Sequence, residues 1–236
     1  MNLVAHPAQS MDMDRLIHDF NLCYGCGLCG EVCPRGAITI DASRAADGAL
    51  HKHPVLDETH CVHCGRCSSV CGSGAISQEK FEGLVQQMSE ARQEHLVFFC
   101  RKLNLSQPSP MQGEALGLNT PLTAVRMMPQ LSRVRLPQGV RLVDVRCTGR
   151  IGARTLLSLL LAGVKGVLIF ACPPHDCEYG RESCLSALHV EGLNSLLDAY
   201  GMGERRVEIL FEQPESPAHV EAVVERFRHG RLRLTR

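Results

Sequence analysis

Thirteen cysteines in 236 residues are the chemistry this chain offers. Eight fall in two runs, CYGCGLCGEVC from Cys23 to Cys33 and CVHCGRCSSVC from Cys61 to Cys71. Both read C-x2-C-x2-C-x3-C, the spacing that holds cubane iron–sulfur clusters. In that run a tight loop offers three thiolates to one cluster and turns the fourth toward the other. The expected ligand sets are therefore Cys23, Cys26, Cys29 and Cys71 for one [4Fe–4S] cluster, and Cys61, Cys64, Cys67 and Cys33 for the second. GAI follows each run, at Gly36–Ile38 and Gly74–Ile76, so the unit is an internal repeat. Zinc motifs usually pair two C-x2-C halves rather than four Cys in this rhythm. Disulfides need an oxidising compartment, and nothing in the chain suggests one.

Five cysteines remain: Cys100, Cys147, Cys172, Cys177 and Cys184. Their placement depends on the elements around them. HLVFF (95–99), VRLVDV (140–145) and VLIF (167–170) read as buried strands, each closing at or just before a cysteine. Residues 206–211 read as a fourth strand. Helices are expected over 80–94, 151–162, 181–200 and 217–227, the first with Phe81, Leu84, Val85 and Met88 on one face. A helix broken at Pro129 is expected over 122–136, and a short one around 13–20. Residues 101–121 are rich in Pro and Gly and read as a loop. Ile38–Ile40 begins a hairpin.

Strands alternating with helices imply a small parallel sheet covered by helices. Such sheets bind ligands beyond the carboxyl ends of their strands. Cys100, Cys147 and Cys172 fall there, and Cys177 follows on the loop after Cys172. Four thiols distant in sequence thus converge on a third metal site, suited to zinc or to an iron–sulfur cluster. Cys184, inside a helix, reads as core. The expected organisation is an N-terminal extension (1–20), an α+β ferredoxin-like dicluster module (21–77), a linker helix (78–94) and an α/β domain (95–236).

Lys plus Arg and Asp plus Glu both count 25, so charge gives no reason to expect nucleic acid. The apolar stretch 155–172 is interrupted by Gly163, Lys165 and Gly166, which favours a helix, a turn and a strand over a membrane span. A soluble, cytoplasmic protein is expected, with no membrane insertion. Gly25, Gly27 and Gly30 match a dinucleotide fingerprint literally, but they lie among cluster ligands and join no strand to a helix. There is no catalytic triad and no flavin or substrate site. His63, between two cysteines, is placed to tune a cluster through its sulfurs, and Arg150, beside Cys147, to do so at the third site. An arginine-rich stretch (Arg126, Arg133, Arg135, Arg141, Arg146, Arg154) reads as a solvated face, or else as a docking face for an acidic redox partner.

Residues 21–77 resemble a bacterial two-[4Fe–4S] ferredoxin. The second half, roughly 95–228, resembles the delta (iron–sulfur) subunit of methyl-viologen-reducing hydrogenase, the partner of heterodisulfide reductase. The matching pieces are Phe99–Cys100, Cys147-Thr148-Gly149-Arg150, LAGVKGVLIFAC (161–172), Asp176-Cys177 with Tyr179, and Gly201 with Glu204-Arg205. The resemblance implies a [2Fe–2S] cluster on Cys100, Cys147, Cys172 and Cys177. It also implies partners: a hydrogenase or formate dehydrogenase on one side, and a flavin-containing heterodisulfide-reductase-like subunit on the other. This chain departs from the family at Leu103, where a second cysteine usually follows the first, and at His175 and Glu178.

The reading that unites these features is a non-catalytic electron-transfer subunit of an oxidoreductase complex. Two others use the same residues: a free ferredoxin-type carrier, and a redox sensor or cluster-assembly protein. Co-purification with partners separates the first from the second, and a labile cluster that controls partner binding marks the third.

Overall fold

The computed structural model describes residues 3–4, 9–10, 16–44, 50–90, 93–103, 131–179, 183–202 and 206–230. In chain order the strands are β1 (Leu3–Val4), β2 (Gln9–Ser10), β3 (Leu16–His18), β4 (Ile38–Arg44), β5 (Leu50–Leu56), β6 (Ile76–Gln78), β7 (His95–Cys100), β8 (Leu136–Pro137), β9 (Val140–Val145), β10 (Gly166–Ala171) and β11 (Val207–Phe211). The helices are α1 (Leu28–Glu31), α2 (Arg66–Ser69), α3 (Glu79–Glu90), α4 (Ala153–Leu161), α5 (Ser183–Ala199) and α6 (Pro217–Arg228).

The first module is a duplicated half. Each half carries a one-turn helix, α1 or α2, entered through a glycine in the left-handed region, Gly27 (φ 83°) or Gly65 (φ 76°). The duplication extends to the backbone on either side. Gly25 and His63 are both left-handed, and so are Gly36 and Gly74. His63 is the only described non-glycine residue with positive φ, a conformation that costs a residue with a Cβ roughly 1–2 kcal/mol. The expected hairpin is present and long, with β4 antiparallel to β5 from Ile38↔Leu56 to Arg44↔Leu50. Residues 16–18 are a strand, not the helix expected around 13–20. Leu16, Ile17 and Phe20 mimic helical spacing, but β3 pairs antiparallel with β6 (Leu16↔Gln78), and tertiary pairing overrides a weak local preference.

The second module is a parallel sheet in the order β11-β10-β7-β9, with β2 added beside β9. All six residues of β10 are buried, as a central parallel strand requires. Phe81, Leu84 and Met88 of α3 share one core with Phe98, Val143, Ile169 and with Leu156, Leu159 and Leu160 of α4. The helix expected as a linker is thus packed on the sheet. Helix α6 covers the opposite face through Val220, Val223, Val224 and Phe227. The stretch 155–172 folds as the end of α4, a turn at Gly163 (φ 97°) and β10. Among the described residues no helix is long and apolar enough to cross a membrane. The helix expected over 122–136 lies outside the described residues up to 130. Beyond it stand a 3-10 turn (Leu131–Arg133) and β8. Most of the expected loop 101–121 also lies outside them.

His95 opens β7 half-buried, its ring edge-on to Phe227 at 5.9 Å. Burial lowers its pKa, Arg228 and Lys165 add to this, and Glu94 opposes it. The folded state therefore binds fewer protons than the unfolded one. The stability His95 contributes is present above the unfolded pKa of about 6.5 and is lost as pH falls through the folded value. Lowering pH from 7.5 to 5.5 is expected to lower Tm more in the wild-type chain than in His95→Gln. Equal pH slopes would contradict this.

Candidate iron–sulfur centres

Among the described residues all twelve cysteines are free thiols. Cys184 has no described side chain. A cavity of about 290 Å³ opens in the first module, walled by Cys23, Cys26, Cys29 and Cys71. Its remaining walls are glycines, Tyr24, Ser73 and apolar groups such as Leu28, Ile40, Pro54 and Val70, with no charged residue among them. The thiol that joins the first three is thus Cys71 of the second run. The cavity fits an inorganic core ringed by thiolates. Burial raises the Cys29 thiol. It would also raise Cys71, but the Ser73 hydroxyl and the N–H groups of Ile76, Ala75 and Gly74 outweigh it and bring that thiol down. The Ile76 N–H donates to Cys71 Sγ at 3.4 Å. In the first half the Ala37 N–H, which matches Ala75, donates to Cys33 Sγ at 3.2 Å.

Cys61, Cys64, Cys67 and Cys33 form the second group. Burial pushes the Cys67 thiol up to about 12, with Cys64 and Cys61 adding to the rise. Burial also raises Cys61 and Cys64, and Cys33 acts on both. Cys33 is thus an electrostatic neighbour of the second run, the reciprocal of Cys71 in the first cavity. Cys61, Cys64 and Cys67 are costly to bury as thiolates without a cation to share their charge, and their raised pKa values express that cost. The donor set suits a cluster that takes the thiolate form.

The sheet edge gathers the other four. Cys100 ends β7, Cys172 follows β10, and Cys147 lies two residues past β9, on three adjacent parallel strands. Cys172 lies within hydrogen-bond reach of both Cys100 and Cys177, and those contacts push its pKa upward. The Cys172 contact brings Cys100 down to about 7 against its burial, helped by the N–H groups of Lys102, Cys172 and Thr148. Burial drives Cys147 strongly upward, and the Cys100, Cys64 and Cys177 thiols shape its field. The Gly149 N–H donates to Cys147 Sγ at 3.3 Å. Leu103 is buried in the apolar cluster that also contains Cys100 and Cys172. Among the described residues no three His, Cys, Asp or Glu side chains are drawn together as for a bare metal ion.

Arg150 is not a surface residue. Its Nε donates to Gln78 Oε1 at 2.7 Å, and its guanidinium lies 5.3 Å from the Phe81 ring centroid. Tyr179 is pushed up to about 12 by burial, with Arg146 as a hydrogen-bond partner. Arg66, on α2, is 2% exposed and acts on Cys64 through both its N–H and its charge. Sequence reasoning passed over Arg66. A lone basic residue inside a cysteine run carries no spacing signal.

Two modules rich in paired and converging thiols define an iron–sulfur protein with a dicluster ferredoxin half and a parallel-sheet half. Family models match accordingly: the 4Fe-4S dicluster domain over residues 22–75, and the methyl-viologen-reducing hydrogenase delta subunit over residues 119–232. The iron-sulfur subunit of the vhu F420-non-reducing hydrogenase of Methanopyrus kandleri is 33% identical over 94 residues, 39% of this chain and 71% of that protein. The iron-sulfur subunit of the vhc F420-non-reducing hydrogenase of Methanococcus voltae is 32% identical over 77 residues, 33% of this chain and 54% of that protein. One subunit of the ferredoxin/F420H2-dependent CoB-CoM heterodisulfide reductase of Methanosarcina acetivorans is 26% identical over 81 residues, 34% of this chain and 10% of that protein. The chain belongs to the hydrogenase delta (iron–sulfur) subunit family, with a 4Fe-4S dicluster domain preceding the family region.

Proposed function

We propose that this chain is an electron-transfer subunit of a cytoplasmic hydrogenase- or heterodisulfide-reductase-type complex. Cys23, Cys26, Cys29 and Cys71 hold one [4Fe–4S] cluster, and Cys61, Cys64, Cys67 and Cys33 hold the second. Cys100, Cys147, Cys172 and Cys177 hold a [2Fe–2S] cluster. These clusters supply one-electron acceptance and release when bound. The partners are a hydrogenase or formate dehydrogenase and a flavin-containing reductase subunit; the chain itself makes and breaks no substrate bond.

The observation that carries this reading is the sequence of thiol neighbours. Cys29 is felt at Cys67, and Cys64 is felt at Cys147. These neighbour relations suit three thiol groups in a row that crosses from one module to the other. Cys26 is exposed at the outer end, beside exposed Tyr24, Leu28, Phe20 and Leu22. An apolar rim around an accessible redox centre is a surface on which a partner docks. The test is the full chain purified anaerobically and reduced stepwise. About ten iron and ten sulfide per chain are expected, as two four-iron clusters and one two-iron cluster require. An oxidised partner added afterwards should be reduced in one-electron steps. A chain that binds no iron, or that binds it but passes no electron onward, ends this reading.

A further inference from the structure

Two arginines are exchanged across the seam between the modules. Arg66 comes from α2, and a Cβ placed on Gly149 would lie 3.2 Å from its Cγ and 3.3 Å from Cys147 Sγ. Its side chain thus runs along the turn that carries Cys147. Arg150 comes from that turn and runs the other way. A Cβ on Gly65 would lie 2.7 Å from Arg150 Cβ and 3.1 Å from its Nε. The exchange is tied by Gln78, whose Nε2 donates to the Arg150 carbonyl at 3.2 Å while its Oε1 accepts from Arg150 Nε. Gly152 fits against the Ser69 backbone, where a Cβ would come within 2.6 Å of a carbonyl oxygen. Arg150 is fully buried and Arg66 nearly so. Arg66 acts on Cys64 of the second group and runs beside the turn of Cys147, while Arg150 lies against Gly65, next to Cys64.

We infer that Arg66 and Arg150 hold the reduction potential of the second cubane up, so that the buried middle station accepts electrons from the exposed first one. This rests on the relay reading above. An electron added to a thiolate-bound cubane adds negative charge, and burial disfavours that charge. Cys64 and Cys67 are buried, whereas Cys26 of the first group is exposed. Burial alone therefore sets the middle station below the first and blocks the row. Full positive charges in a low-dielectric seam act in the opposite direction, far more strongly than in water. The cavity of the first group has no charged residue in its walls. Arg154 brings a cation near that group, its guanidinium packed on Gly74 beside Cys71, but it is exposed and so screened by solvent. The buried cations stand at the station that needs them. Hydrogen bonding and nearby charge are the means by which a protein sets such potentials.

The test is a redox titration of the full chain followed by electron paramagnetic resonance, with iron and sulfide measured on the same samples. The second cubane is identified as the component missing from Cys61→Ala. In Arg66→Gln its reduced-to-oxidised ratio at a fixed potential should fall at least tenfold, a downward shift of about 59 mV or more for one electron, while the first cubane keeps its value. Arg66→Lys, which keeps the charge, should retain most of the wild-type value. Arg150→Gln, which leaves every cluster cysteine in place, should shift the same component in the same direction. An unchanged potential in Arg66→Gln and Arg150→Gln at full iron content overturns the inference and leaves the relay standing. Equal shifts of both cubanes also overturn it. A wild-type chain without cubanes overturns the inference and the relay together.

Discussion

Replacing Cys71 by Ala is expected to destroy the cubane of Cys23, Cys26 and Cys29, sparing that of its own run. The cavity that Cys71 enters is walled by those three cysteines, and Cys33 is the thiol felt by Cys61 and Cys64. A cubane with three protein ligands is open at one iron, and loss of that iron or of the whole cluster follows. Iron should fall from about eight toward about four per pair of cubane sites. The spectral component lost in Cys71→Ala should be the one lost in Cys23→Ala. Cys33→Ala and Cys61→Ala should lose the other. If Cys71→Ala instead shares its loss with Cys61→Ala, each run holds its own cluster. The exchange of fourth ligands would then be wrong.

Cys172→Ala is expected to abolish the third centre and leave both cubanes intact. Cys172 is the thiol within reach of both Cys100 and Cys177, so its removal breaks the set at its middle. The anaerobic full chain should show a two-iron signal on reduction, and the variant should lose it with about two iron per chain. The full chain is the right material because β2 completes the sheet beside β9 from a position before the cubane module. A wild-type chain that carries the cubanes but only zinc at this edge would refute the two-iron assignment. The sheet half would then be a docking module, and the row of stations would end at Cys64.

Much of this was readable from residue order because the features are local. The doubled cysteine rhythm is a short-range pattern, and loop geometry follows from it. Residues 96–100 and 166–171 are continuous apolar runs, as fully buried parallel strands tend to be, and 140–145 is apolar apart from Arg141 and Asp144. Parallel pairing then forces their ends together, so the convergence of Cys100, Cys147 and Cys172 followed from topology. The features that were not readable are long-range. Nothing near Leu16 announces that β6, some sixty residues on, will pair with it. Arg150 was read as a residue beside the third site, and its link to Gln78 and Phe81 depends on how the modules meet. Arg66 gave no warning at all, because its role exists only once Gly149 lies against it.

The seam also bears on how the protein is matured. Cys64 and Cys67 are buried, and the Arg150 side chain and the Ser69–Gly152 contact lie over the α2 end of the second site. A cluster donor needs open access to the thiols it loads. Filling of that site is therefore expected to be faster before the sheet half closes on α2. The order of synthesis suits this, since the dicluster module leaves the ribosome first and N-terminal units fold first. The outer site keeps Cys26 exposed and can be refilled after damage. The inner one is reachable only from the side of the partly exposed Cys61 and Cys33, so refilling there is expected to be slower than at the outer site.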